Sequence, residues 1–98
     1  MLQHYRRLPG TLGRILRDDR RTAAALHQRG LPLDVVENAF VLAIARRTFR
    51  SDTQPLDPIR SLRYFLPVID ELRHAPPLPE YLEYLRNRLV TARVYPAD

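Results

Sequence analysis

The chain has 98 residues, no cysteine and a formal net charge of +5, with arginine at all sixteen basic positions and no lysine. These facts allow one helical domain over residues 1–98 and exclude disulfides and cysteine-based metal centres. No apolar run approaches a membrane span of about 20 residues, and MLQHYRRLPG lacks the apolar core of a secretory signal, so the expected setting is the cytoplasm, away from membranes.

Pro9, Gly10 and Gly13 interrupt the first segment, so residues 1–13 read as an arm with a short helical turn over Leu2 to Leu8. His4 and Tyr5 in this arm, beside Arg6 and Arg7, either stack on a base or pack on the core, packing being the commoner use of an isolated tyrosine. From Arg14 to Arg29, Ile15, Leu16, Ala23 and Leu26 recur at helical spacing, three consecutive alanines raise helix propensity, and Gly30 ends the run. Asp18 or Asp19 offers a fresh N-terminus inside the stretch.

The segment Leu33 to Arg50, LDVVENAFVLAIARRTFR, is the element around which the others are expected to pack. Only Asp34, Glu37 and Asn38 are polar up to Ala45, so its apolar surface covers well over half the helix circumference. Pro32 stands at its start, and Arg46, Arg47 and Arg50 at its end oppose the negative pole of the helix dipole. After the polar loop SDTQPLDP, Asp57 and Pro58 resemble an N-cap followed by proline at N1. A helix over 59–74 follows, with a stripe of Ile59, Leu62, Phe65, Leu66, Ile69 and Leu72. Pro67 inside that helix predicts a kink or a division into two, since an interior proline costs about 3 kcal/mol. The connector APPLP leads to a last helix over 79–91, with Tyr81, Leu82, Leu85 and Leu89 inward and Arg86 and Arg88 outward, and residues 93–98 read as a loose tail. The expected fold is all-α: a compact bundle of four main helices over 14–29, 33–50, 59–74 and 79–91, with a short additional helix at the N-terminus.

Catalytic signatures are absent from the sequence. His4, His27 and His74 are far apart and form no HxxxH or HExxH pair. Asp70 and Glu71 are adjacent, so they diverge by about 100° on a helix, a poor geometry for a shared acid–base pair. Glu80 and Glu83 share a face but sit in an ordinary acidic first turn. Neither Ser51 nor Ser61 lies in a glycine-rich elbow, and the phosphate-binding glycine motifs are missing. No enzymatic activity, metal or cofactor is therefore expected.

The charge distribution is more informative. Residues 1–30 hold seven arginines against two aspartates, a net +5, whereas the remaining 68 residues hold nine arginines and nine acids. A basic end on a neutral remainder points to an anionic partner. Arg14, Arg17, Arg20 and Arg21 fall on adjoining turns and form a stripe, joined by Arg6 and Arg7 in the arm. A second group, Arg46, Arg47, Arg50, Arg60 and Arg63, flanks the loop after the central helix and is suited to clamping phosphates. The alternative for this group is pairing with Asp52, Asp57, Asp70 or Glu71, or capping helix carbonyls.

Between Gly30 and Leu72 the chain resembles the helical DnaD-like domain of phage replisome organisers and bacterial primosome proteins. The shared pattern is a glycine turn, a helix with Val35, Val36, Ala39 and Ala43, a loop, and a helix carrying a tyrosine. Within SLRYFLPVIDEL, Tyr64, Val68 and Leu72 stand at the places of that family's Tyr-x-x-x-Ile-x-x-x-Trp. The resemblance implies a small DNA-replication accessory domain that binds DNA, with Tyr64 and nearby arginines as contacts. The combined expectation is a non-enzymatic nucleic-acid-binding accessory protein of a replication system or mobile element, with DNA ahead of RNA as partner. The competing expectation is a protein-interaction module or subunit, homodimeric or with another partner, anchored by Tyr64, Tyr81, Tyr84 and Tyr95.

Overall fold

Seven consecutive buried residues, Ala39 to Ala45, form the centre of the protein in a computed structural model that describes residues 1–51 and 54–95. They belong to α3 (Leu33–Thr48), and burial around the whole circumference is what its apolar composition requires. Around it stand α1 (Leu2–Arg7), α2 (Arg17–Gln28), a 3-10 turn (Leu62–Phe65), α4 (Leu66–His74) and α5 (Pro79–Thr91). α4 and α5 make the main contacts with α3, while α2 packs on the 3-10 turn and on α1. Among the described residues the only strand-like pairing is an isolated bridge between Thr11 and Ile59, so the fold is all-α.

A six-residue helix such as α1 is too short to persist alone. It is held by Tyr5, which is buried and meets Phe65 edge-on at 6.1 Å between ring centroids. His4 likewise turns its ring edge-on to Phe40, at 5.1 Å. Both aromatics of the arm therefore serve the core. The chain then turns at Gly10, whose φ of +83° suits glycine and whose carbonyl accepts the Ile59 N–H at 2.6 Å. That bond ties the arm to the loop before the 3-10 turn.

α2 starts at Arg17 rather than Arg14, because Asp19 acts at the third helical position. Its carboxylate accepts the N–H of Leu16, the N-cap residue, at 2.9 Å, and the other carboxylate oxygen accepts the N–H of Leu62 at 2.9 Å. One fully buried carboxylate thus fixes the start of α2 and joins it to the 3-10 turn. The helix ends where Gly30, at φ +72°, and Leu31 donate to the carbonyls of His27 and Leu26, a Schellman closure.

The expected helix over 59–74 is divided. Ser61 is the N-cap of the 3-10 turn, its hydroxyl accepting the Arg63 N–H at 3.1 Å. Asp57 and Pro58 do not start a helix. Leu62 and Phe65 are both buried at a spacing of three, which matches the three residues per turn of a 3-10 helix, and Ile59 is buried in the bridge before it. Pro67 falls in the first turn of α4, where its missing N–H has no helical carbonyl to serve. α3 stops at Thr48, two residues short of Arg50.

α5 spans the expected residues, but its inward face is Leu85 and Leu89 with Leu82 half-buried, and Tyr81 is exposed. The tail is also packed further than expected. The N–H groups of Val94 and Tyr95 both donate to the Leu89 carbonyl, and Tyr95 is only 8 % exposed. Residues 96–98, the rest of the expected tail, and Asp52 lie outside the described residues.

Candidate nucleic-acid interface

At about 100° per residue, Arg20 and Arg21 flank Arg17 by about 60° and 40° on the surface of α2. Asp19, Thr22 and Leu26 lie on the opposite side and are buried. α2 therefore has one face inside the protein and one face of guanidinium groups outside. Arg14, in the irregular stretch just before the helix, is exposed as well. None of Arg14, Arg17, Arg20 and Arg21 has an ion-pair or hydrogen-bond partner for its side chain among the described residues.

The two aspartates of this region are both engaged elsewhere. Asp19 is consumed by backbone N–H groups, and Asp18 pairs with Arg63 across the 3-10 turn, at 3.1 Å from Arg63 Nε to Oδ2. Arg17 also stands in the first turn of the helix, at its positive end. A cation there is disfavoured by about 0.3–1 kcal/mol, so Arg17 gains nothing from the helix dipole.

The second arginine group is not a single cluster. Arg46 makes a two-pronged contact with Glu71 on α4, at 2.8 and 2.6 Å. The hydrogen bond, aided by charge attraction, holds the Glu71 carboxyl below its ordinary value, and the same bond raises the Arg46 guanidinium. Arg47 donates to the Asp57 carbonyl at 2.5 Å and lies 6.0 Å from the centre of the Tyr64 ring. Arg50 donates to the Gln54 carbonyl, and Arg63 is bound to Asp18. The exposed Arg60 has no such partner among the described residues. Tyr64 is exposed on one side and meets Phe65 edge-on at 5.1 Å.

Arg6 and Arg7 close α1, both exposed. Arg7 lines a cleft with His4, Glu37, Arg86, Asn87 and Tyr95, residues from α1, α3, α5 and the segment after it. Sequence reasoning did not bring these six together, because the helices that carry them are far apart along the chain. It also missed Arg88, which stacks over Phe49 at 3.9 Å and so covers the end of α3. No sequence pattern signals a cation–π contact between residues 39 positions apart.

Among the described residues no group of three or more histidine, aspartate or glutamate side chains is placed to hold a metal ion, and no helix is long and apolar enough to cross a membrane. Comparison of the chain with family models, with curated proteins and with solved structures returns no match.

Proposed function

We propose that this domain is a non-enzymatic nucleic-acid-binding accessory module of a replication system or mobile element, acting in the cytoplasm and holding a phosphate backbone on the outer face of α2. The observation that carries this reading is the set of four exposed arginines, Arg14, Arg17, Arg20 and Arg21, with no intramolecular partner among the described residues. The replication setting rests on the resemblance of residues 30–72 to DnaD-like domains. Contacts of this kind hold and position the strand, and sequence is read weakly if at all.

The test is fluorescence anisotropy with labelled single-stranded DNA, duplex DNA and RNA at several salt concentrations. Four phosphate contacts give a log–log salt slope of about −3 to −4, with micromolar binding at low salt and DNA bound ahead of RNA. Absence of binding at the lowest salt ends this reading. A second reading, a helical protein-interaction module, is favoured by the outer side of α5, where Leu78 is 71 % exposed beside exposed Tyr81 and Tyr84. Light scattering over a range of concentrations separates the two, a stable dimer without DNA affinity favouring the second.

A further inference from the structure

The cleft lined by Arg7 has a volume of about 690 Å³, within the range of small-ligand sites. Its walls combine two kinds of surface. Leu8, Val90, Val94 and the ring of Tyr95 supply an apolar floor, and Arg7, Arg86 and Asn87 supply donors at the rim. Neither Arg7 nor Arg86 forms an ion pair among the described residues.

Electrostatics show that these groups converge. Burial lowers the His4 imidazole below its ordinary value; Glu37 pulls it up, and Arg86, the terminal ammonium and Arg7 push it down. The two guanidinium groups and the Glu37 carboxylate thus all act on one ring. Burial pushes the Tyr95 hydroxyl up to about 12, with the positive charge of Arg86 opposing. Among the described residues the Tyr95 hydroxyl has no hydrogen-bond partner, and it is buried beneath the cleft surface.

We propose that this cleft binds a small organic phosphate of the nucleotide class, its phosphate held between Arg7 and Arg86 with Asn87 as a further donor, and its organic part on the floor of Val90, Val94 and Tyr95. Two guanidinium forks match phosphate oxygens. Glu37 would repel a bare anion, and it fits a ligand whose organic part presents a hydroxyl or amino donor to it. The site shares no residue with the α2 stripe and stands independently of the proposed DNA contact.

The test is a 1H–15N NMR titration of the intact chain with adenosine 5′-monophosphate, and in parallel with adenosine and with inorganic phosphate. The expected result is saturable shifts at Arg7, Arg86, Asn87 and Tyr95 with the nucleotide, and binding at least tenfold weaker for each fragment. Arg86→Gln, at an exposed position that leaves the fold intact, weakens nucleotide binding tenfold or more. The proposal is overturned by unchanged affinity in Arg86→Gln, by inorganic phosphate binding as tightly as the nucleotide, or by shifts confined to Arg17, Arg20 and Arg21.

Discussion

Arg17, Arg20 and Arg21 at the start of α2 and Arg46, Arg47 and Arg50 at the end of α3 are equally dense along the chain, yet the fold treats them in opposite ways. The second set lies at or just beyond the negative pole of its helix, and each member reaches an acceptor: the Glu71 carboxylate, the Asp57 carbonyl and the Gln54 carbonyl. The first set sits toward the positive pole of its helix, and both neighbouring acids are already occupied. Charge density therefore says little about which arginines are available to a partner. The sense of the helix dipole and the presence of an acceptor within reach decide it.

The largest expected effect separates the two sets directly. Replacing Arg14, Arg17, Arg20 and Arg21 with glutamine should reduce the log–log salt slope for DNA binding by about 3 to 4 units, close to one per lost phosphate contact. Replacing Arg46, Arg47 and Arg50 should leave the slope nearly unchanged and lower the unfolding midpoint instead. The quadruple variant should be as stable as the parent or slightly more so, because it removes cations from a helix N-terminus. Equal losses of binding from both sets would dissolve the contrast.

A second experiment addresses the inner face of the same helix. Asp19→Ala removes a buried carboxylate that accepts two backbone N–H groups, from Leu16 and from Leu62. Hydrogen bonds to a charged group, together with two donors left unsatisfied, set the expected loss at about 3 kcal/mol in urea unfolding. A loss below about 1 kcal/mol would mean that water reaches these donors and that Asp19 is not what seats α2.

The parts of this fold that can be read from the sequence are those specified locally. The apolar run of α3, the proline at the start of α5, the glycine closing α2 and the break imposed by Pro67 each act within a few residues. The parts that cannot be read depend on distant partners. Asp18 or Asp19 read as an N-cap, whereas Leu16 holds that place and Asp19 acts from the third helical position, with a second bond to a residue 43 positions away that no local pattern signals. Asp57 with Pro58 had the better start signal, yet Ser61 is the cap, and Ile59 is instead bridged to the arm through the Gly10 carbonyl and Thr11. The amphipathic spacing of α5 placed Tyr81 inward, where the packing of Leu85 and Leu89 leaves it outside. For the candidate interface, the localisation of charge was legible from composition, whereas the dispersal of Arg46, Arg47, Arg50 and Arg63 among separate acceptors required the path of the intervening loop.

The smallest expected effect concerns Glu71, the carboxylate that holds Arg46. Glu71 has its pKa lowered from 4.5, chiefly by the hydrogen bond from Arg46, which outweighs the opposing desolvation and is helped by a lesser charge attraction. A carboxyl whose folded value is depressed stabilises the fold at pH above its unfolded value, and that contribution drains away as pH falls through the lower folded value. Glu71→Gln should therefore lower the thermal midpoint slightly at pH 7, and the gap should close on acidification below 4.5, vanishing once the pH has passed below the depressed folded value. The pair is half exposed, so the gap should also shrink with added salt. Arg20→Gln, with no acid partner, should show no such closing gap. A difference for Glu71→Gln that persists at low pH would mean that Glu71 acts through packing against α3 rather than through charge, and Arg46 would then be no more committed by electrostatics than the arginines of α2.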